Sequence, residues 1–196
     1  MRVLVACEFS GTVREAFAKR GHDAWSCDLL PTEKEGKHIQ GDIRQQALGW
    51  LESFDLIIAH PPCTYLCVSG ARWWKDLKNG EQEKALDFVD WFLRGNKVPY
   101  LALENPIGII SSKIRKPDQI IHPWMFGHSE NKATCLWLRN LPKLERTELR
   151  FHRKNSIHRA TPGKDRWKER SRTFQGIADA MADQWGSFID ARLRAS

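Results

Sequence analysis

The sequence predicts an α/β fold built on one mostly parallel, doubly wound sheet. Three observations point to it. Short apolar runs at 3–6, 56–59 and 100–103 have the length and branched content of strands buried on both faces. Segments of helical periodicity, at 13–20 and 83–94, separate such runs. Each run also stops at polar, chemistry-bearing residues, as expected where ligands lie at the carboxyl edge of an open sheet.

The elements follow in order. Val3 to Ala6 forms a first strand, and Cys7-Glu8-Phe9-Ser10-Gly11-Thr12 a turn. Val13 to Arg20 forms an amphipathic helix closed by Gly21. Asp23 to Cys27 leads into Asp28-Leu29-Leu30-Pro31, and a polar loop runs from Thr32 to Lys37. Gly41-Asp42-Ile43 precedes a helix expected at about Gln45 to Ser53. Acidic residues at two successive strand ends suit the ribose and adenine of a nucleotide, so Asp28 and Asp42 are candidate contacts; capping of a turn or helix is the competing role. Leu86, Phe88, Val89, Trp91, Phe92 and Leu93 mark a helix packed on the sheet. The Trp73-Trp74 segment before it either packs amphipathically or closes over a substrate with an aromatic face. The stretch 120–128 is expected to be irregular, and Cys135 to Leu138 to be a strand.

The chemistry concentrates at two strand ends. His60-Pro61-Pro62-Cys63 follows Asp55 to Ala59, and Glu104-Asn105-Pro106 follows Tyr100 to Leu103. Two prolines stiffen the first turn and hold the Cys63 thiol on a loop rather than in the core. A thiolate opposite a carboxylic acid suits addition to an electron-poor pyrimidine, one group attacking carbon and the other protonating a ring nitrogen.

These two motifs, in this order and separation, resemble the Pro-Cys and Glu-Asn motifs of the cytosine-C5 DNA methyltransferases. The Phe9-Ser10-Gly11 turn resembles that family's donor-binding turn, with Cys7 where an aspartate is common and Thr12-Val13-Arg14 in place of further glycine. The resemblance implies a Rossmann-like class I methyltransferase that uses S-adenosylmethionine. It implies that Cys63 attacks C6, Glu104 serves N3 and Asn105 orients the Cys63 loop. Glu8, Phe9, Ser10, Gly11, Thr12, Asp28, Leu29, Asp42, Ile43, Pro61 and Gly176 would then surround the donor. Leu66-Cys67-Val68-Ser69-Gly70 stands where the family has Phe-Ser-x-x-Gly. Glu130, Lys132 and Thr134 occupy the frame of its Gln-x-Arg-x-Arg motif, which makes Lys132 the candidate for the base carbonyl. Phe174-Gln175-Gly176-Ile177 resembles the closing motif, with Ile177 for the usual Asn.

Between Glu145 and Arg172 the chain is densely basic, in keeping with a formal charge of +7. Arg150, Arg153, Lys154, Arg166 and Lys168 are candidate phosphate contacts, a solvated loop being the alternative. The resemblance places a target-recognition domain here, but the roughly 30 basic, loop-like residues at 145–172 fall short of ordinary domain size. The chain therefore reads as one domain over 1–196, like the short forms carried by bacteriophages and prophages. No apolar stretch reaches the roughly 20 residues a membrane span needs, and the expected location is cytoplasmic. Five scattered cysteines argue against a disulfide framework, and Cys63 with Cys67 has no second Cys/His pair to complete a metal site. The expected partner is DNA, single- or double-stranded. The alternatives are the same chemistry on a nucleotide, RNA or modified base, and a catalytically silent protein that holds donor or nucleic acid.

Overall fold

The computed structural model describes residues 1–46, 49–76, 80–151, 154 and 166–195, with the backbone alone for Arg72, Trp73, Lys75, Asp76 and Arg166. Seven strands form one sheet: β1 (Arg2–Ala6), β2 (Asp23–Asp28), β3 (His38–Gln40), β4 (Leu56–Ala59), β5 (Tyr100–Pro106), β6 (Gln119–Ile121) and β7 (Thr134–Arg139). Their order is β3-β2-β1-β4-β5-β7-β6. The first five are mutually parallel, and β7 runs antiparallel to both of its neighbours.

Strand β1 shows why the runs are continuously apolar. Side chains alternate across a strand, so Val3 and Val5 enter one core while Leu4 and Ala6 enter the other. The first core is covered by α1 (Thr12–Ala18), through Val13 and Phe17, and by the carboxyl-terminal helices, through Ile177, Met181, Trp185 and Ile189. The second is covered by α3 (Glu81–Arg94), through Val89 and Phe92. Helices on both faces leave a strand no polar side.

Buried Arg14 on α1 organises the first crossover. Its guanidinium donates to the Ser26 and Thr32 hydroxyls and to the carbonyls of Lys34 and Glu35, at 2.7 to 3.1 Å. The polar loop expected at 32–37 is therefore tied to the body by one cation. Gly11 begins the helix at φ 67°, and a side chain there would meet the same guanidinium.

Two expectations change, and two further features come only from the structure. The helix expected at Gln45 to Ser53 is split into α2 (Ile43–Gln46) and a 3-10 turn at Leu51–Ser53, with Gly49 at φ 88° before the second piece. The stretch 120–128 is not wholly irregular, because it contributes β6 and a 3-10 turn at Pro123–Met125. The final helix is interrupted: α6 (Gln175–Ala180) passes through a π-helical turn at Met181–Trp185 into α7 (Gly186–Leu193). The start of the basic stretch is tied to the body by backbone hydrogen bonds. Gly127 N–H donates to the Glu148 carbonyl, Arg150 N–H to that of Trp124, and Asn131 N–H to that of Lys154, at 2.8 to 2.9 Å. A 3-10 helix at Val68–Asp76, short α4 (Ile110–Lys113) and α5 (Arg166–Ser171) complete the described elements, and α5 ends the basic stretch.

Candidate active site

The strand order reverses between β1 and β4, so their carboxyl ends bound a crevice, which is where open α/β sheets bind ligands. Register then decides which side chains meet. Ala59 on β4 lies beside Leu103 on β5, which brings the next residues, His60 and Glu104, side by side. His60 Nδ1 stands 3.1 Å from Glu104 Oε2. One residue on, Asn105 Nδ2 donates 2.8 Å to the Pro61 carbonyl and ties the proline turn to β5.

The Cys63 loop is anchored at its far end too. The N–H groups of Leu66 and Cys67 both donate to the Cys63 carbonyl at 3.0 Å, closing a tight turn. Val68 N–H then bonds the Ile107 carbonyl, and Ile109 N–H that of Leu66. A side chain at Gly108 would run into the Leu66 carbonyl, so glycine alone permits this approach. Antiparallel β7 begins where β5 ends and so delivers Lys132 to the same place, with its Nζ 2.8 Å from the Arg170 carbonyl.

These groups enclose a cavity of about 80 Å³, walled also by Glu8, Phe9, Ser10, Pro62, Pro106 and the segment Arg170 to Thr173. That segment is held from outside. Arg172 makes a two-pronged contact with the Glu33 carboxylate at 2.7 and 3.1 Å, and the Trp167 ring lies 6.1 Å from that of Phe9.

Burial raises the Glu104 carboxyl, but the hydrogen bond and charge of His60, with the charge of Lys132, outweigh it and leave the group below its usual range. Glu104 is therefore ionised at neutral pH. Glu8 goes the other way, because burial outweighs His60, the N–H groups of Val13 and Arg14, and the Arg14 charge. The Glu8 carboxylate is committed to the start of α1, accepting those N–H groups at 2.6 and 3.2 Å. Cys63 and Cys67 share a hydrogen bond and titrate as a pair. Charge settles on Cys67, because the Cys63 thiol, the Ser69 hydroxyl and the N–H groups of Ser69 and Gly70 all stabilise it there. The same bond pushes Cys63 far up, assisted by burial and by the Cys67 and Glu104 charges.

A second cavity, about 440 Å³, opens beside the first over the ends of β2 and β3. Cys7 and Pro62 line both. Asp28, Leu29, Asp42, Ile43, Tyr65 and Phe88 form its walls, with Arg44 and Lys84 among the basic groups. Burial raises the Asp28 carboxyl, although the Leu30 and Leu29 N–H groups and nearby histidines pull it down. Burial and the charges of Asp28, Cys27 and Asp42 keep the Cys7 thiol neutral.

Of the candidate residues, Glu8, Phe9, Ser10, Pro61, Cys63, Glu104, Asn105 and Lys132 converge on the narrow cavity, and Asp28, Leu29, Asp42 and Ile43 on the wide one. Gly11, Thr12 and Gly176 line neither. A side chain at Gly176 would strike the Phe126 carbonyl, so this glycine serves packing of α6. Among the candidate phosphate contacts, Arg150 pairs with Glu148 at 2.6 Å, Lys154 is exposed, and Lys168 lies near the Trp167 ring. Arg153 and the Arg166 side chain lie outside the described residues. Sequence reasoning missed His60 and the Arg170 to Thr173 wall. His60 and Glu104 each directly follow an apolar run, and in-register pairing of those runs is the signal that would have joined them.

The fold is that of the class I methyltransferases. The Entamoeba histolytica methyltransferase EhMeth superposes with a TM-score of 0.51 at 16% identity, over 76% of this chain and 57% of that one. The S. pombe Dnmt2 methyltransferase gives 0.50 at 15% identity, over 73% and 51%. The chain thus spans somewhat more than half the length of either neighbour. No family model and no curated protein matches the sequence. Among the described residues no helix is long and apolar enough to cross a membrane.

Proposed function

We propose that this chain is an S-adenosylmethionine-dependent cytosine-5 methyltransferase that acts on DNA through a covalent adduct between Cys63 and C6. The observation that carries the reading is one cavity holding the anchored Cys63 loop and Glu104, joined through Cys7 and Pro62 to a larger cavity with acidic groups at two strand ends.

The donor fits the wide cavity. Asp28 would accept from ribose hydroxyls, Asp42 and Ile43 would meet the adenine, and Leu29 and Phe88 would cover its faces. When bound, S-adenosylmethionine would supply an electrophilic methyl group. The protein does the rest. Cys63 adds to C6 with loss of its proton to the Cys67 thiolate, and the ring's electron pair becomes available at C5. Glu104 faces N3, where a proton neutralises the charge that attack creates. Lys132 stands near for the base carbonyl, and Asn105 holds the loop in line. The Arg170 to Thr173 wall excludes water from the adduct. Loss of the C5 proton to a solvent base and departure of Cys63 as a thiolate restore the ring, and the proton held by Cys67 returns to Cys63.

A base inside a duplex cannot present C6 to a recessed thiol, so the target nucleotide enters flipped or from a single strand. Arg150, Arg153, Lys154, Arg166 and Lys168 supply the phosphate contacts in this reading, and their basic stretch carries the choice of a polynucleotide. The test is mass spectrometry of nucleosides from cells expressing the chain, with Cys63→Ala as control, alongside trapping on 5-fluorocytosine DNA. 5-Methylcytosine in DNA and a trapped adduct, both absent from the variant, are the expected outcome. Modification confined to RNA or to free nucleotides would move the substrate, and no modified base would refute the activity.

A further inference from the structure

We propose that His60 is a second acid in this site, supplying the proton that Glu104 passes to N3. The inference rests on the covalent cytosine chemistry proposed above and deepens it.

The need for such a group comes from Glu104 itself. Its carboxyl faces the ring nitrogen that must be protonated, yet His60 and Lys132 hold it ionised in the free protein. An ionised carboxylate can accept a hydrogen bond but has no proton to give. The imidazole nitrogen 3.1 Å from its oxygen is a group that can carry one.

The surroundings of His60 set it apart from a core histidine that merely satisfies a neighbour. Its side chain is 8% exposed, and Glu104 on β5 faces it at Nδ1. Glu8, beyond the end of β1, and Asp28, at the end of β2, both feel its charge. Lys132 approaches Glu104 from the start of β7 and holds the opposite charge. Nε2 is buried without a hydrogen-bond partner among the described residues. A buried ring nitrogen with no partner is costly for structure alone. Here the ring lines the cavity that receives the substrate. Its backbone N–H donates 3.0 Å to the Ala6 carbonyl, so its place is set by the sheet and not by Glu104.

The proton balance closes within these groups. As Cys63 Sγ bonds to C6, the C5–C6 π pair moves to C5 and charge builds on the ring toward N3. The proton on His60 Nδ1 passes to the Glu104 carboxylate, and the carboxyl delivers it to N3. The imidazole is left neutral and Glu104 is ionised again. When N3 releases the proton at elimination it returns by the same route, so no outside acid is consumed.

His60→Asn is the discriminating variant, since the side-chain amide reproduces the Nδ1 donor to Glu104 but cannot transfer a proton. The measurement is the single-turnover rate of adduct formation on 5-fluorocytosine DNA from pH 6 to 9. We expect the wild-type rate to fall toward the alkaline end, as it does when a step needs an acid. His60→Asn should bind the same DNA but form adduct about 10²-fold slower or worse, without that alkaline fall, on the scale of general acid–base catalysis. In His60→Ala, added imidazole should restore the rate, whereas pyrazole, of the same shape but unprotonated near neutrality, should not. A wild-type rate and pH profile in His60→Asn, or equal rescue by both azoles, would overturn the proposal and leave His60 as packing. Wild type that forms no adduct at all would instead refute the covalent reading, and the assignment of His60 with it.

Discussion

The two cavities share a wall and differ in nearly everything else. The cavity at the ends of β1, β4 and β5 is about 80 Å³ and crowded with titratable groups, including Cys63, Glu104, His60, Glu8 and Lys132. The one over β2 and β3 is about 440 Å³ and largely apolar, its acids spaced at strand ends. The small site has its groups tied to one another: Asn105 to the Pro61 carbonyl, His60 to Glu104, Lys132 to the Arg170 carbonyl. The large one has open volume and an exposed rim, where Leu29 is 70% accessible. Pre-set polar geometry suits a reacting centre, and a roomy apolar cleft with a few acceptors suits a sizeable ligand. Substitutions in the first should therefore act on rate, and those in the second on affinity.

The largest effect should come from Cys63→Ala, with no adduct on 5-fluorocytosine DNA and no methyl transfer. Thermal stability and donor affinity should stay close to wild type, because the loop is anchored by backbone and Asn105 contacts that do not involve the thiol. Loss of donor binding in this variant would break the division between the cavities. Next, Glu104→Gln should slow single-turnover adduct formation by about 10² to 10⁴-fold with little change in DNA affinity, as expected when a proton-transfer group is removed. Equal rates in variant and wild type would remove Glu104 from the chemistry.

In the wide cavity, Asp28→Ala should weaken binding of S-adenosylmethionine and its demethylated product. An acceptor whose hydrogen bonds are worth about 1.5 to 3 kcal/mol corresponds to roughly a tenfold to hundredfold loss by calorimetry. The chemical step at saturating donor should be unchanged. Absence of any binding heat in the wild type would mean that the cleft holds something else.

Cys67→Ala should be milder than Cys63→Ala and visible mainly in the pH profile. In the pair the shared hydrogen bond favours charge on Cys67, which is then at hand to take the Cys63 proton, so the wild-type rate gains little from added base. With Cys67 removed, burial and the Glu104 charge still raise the Cys63 thiol, and the rising thiolate fraction should offset the alkaline fall expected of the wild type. The loss at pH 7 should be on the order of tenfold, since the thiolate is the nucleophile. An unchanged profile would show that the two thiols act independently. The smallest effect belongs to the basic stretch. Charge reversal at Arg150 and Lys154 should reduce DNA affinity for all sequences alike and flatten its salt dependence by about 0.7 to 0.9 for each phosphate left without a cation.

Much of the framework was legible because buried parallel strands announce themselves. Val3 to Ala6, Leu56 to Ala59 and Leu101 to Leu103 are unbroken apolar runs, and nothing else in a chain of ordinary composition accounts for them so simply. The chemistry after those runs was legible for the same reason, since strand ends at a sheet's carboxyl edge are where side chains face ligand. What failed to show depended on weak or long-range signals. Three-residue β6 has too few residues for any period to register. The split of the helix expected at 45–53 turned on Gly49, an isolated glycine that local pattern alone does not distinguish from a tolerated one.

The strand ends and their cargo could be read from the chain directly: a thiol after Pro61-Pro62, a carboxylate after Leu103, acids at 28 and 42. Those features are local, written in runs of four to six residues and in the residue that follows each. The partnerships among them came only with the folded sheet. Register between β4 and β5 set His60 against Glu104, the antiparallel sense of β7 brought Lys132 to the same cavity, and Arg14 reached across the first crossover to pin the loop at 32–37. Folding also joined Arg172 to Glu33 across 139 residues of chain. Pairings of that range depend on strand order and sense, which local periodicity does not encode, because a run of Val, Leu and Ile is equally apolar in whichever direction its neighbour runs.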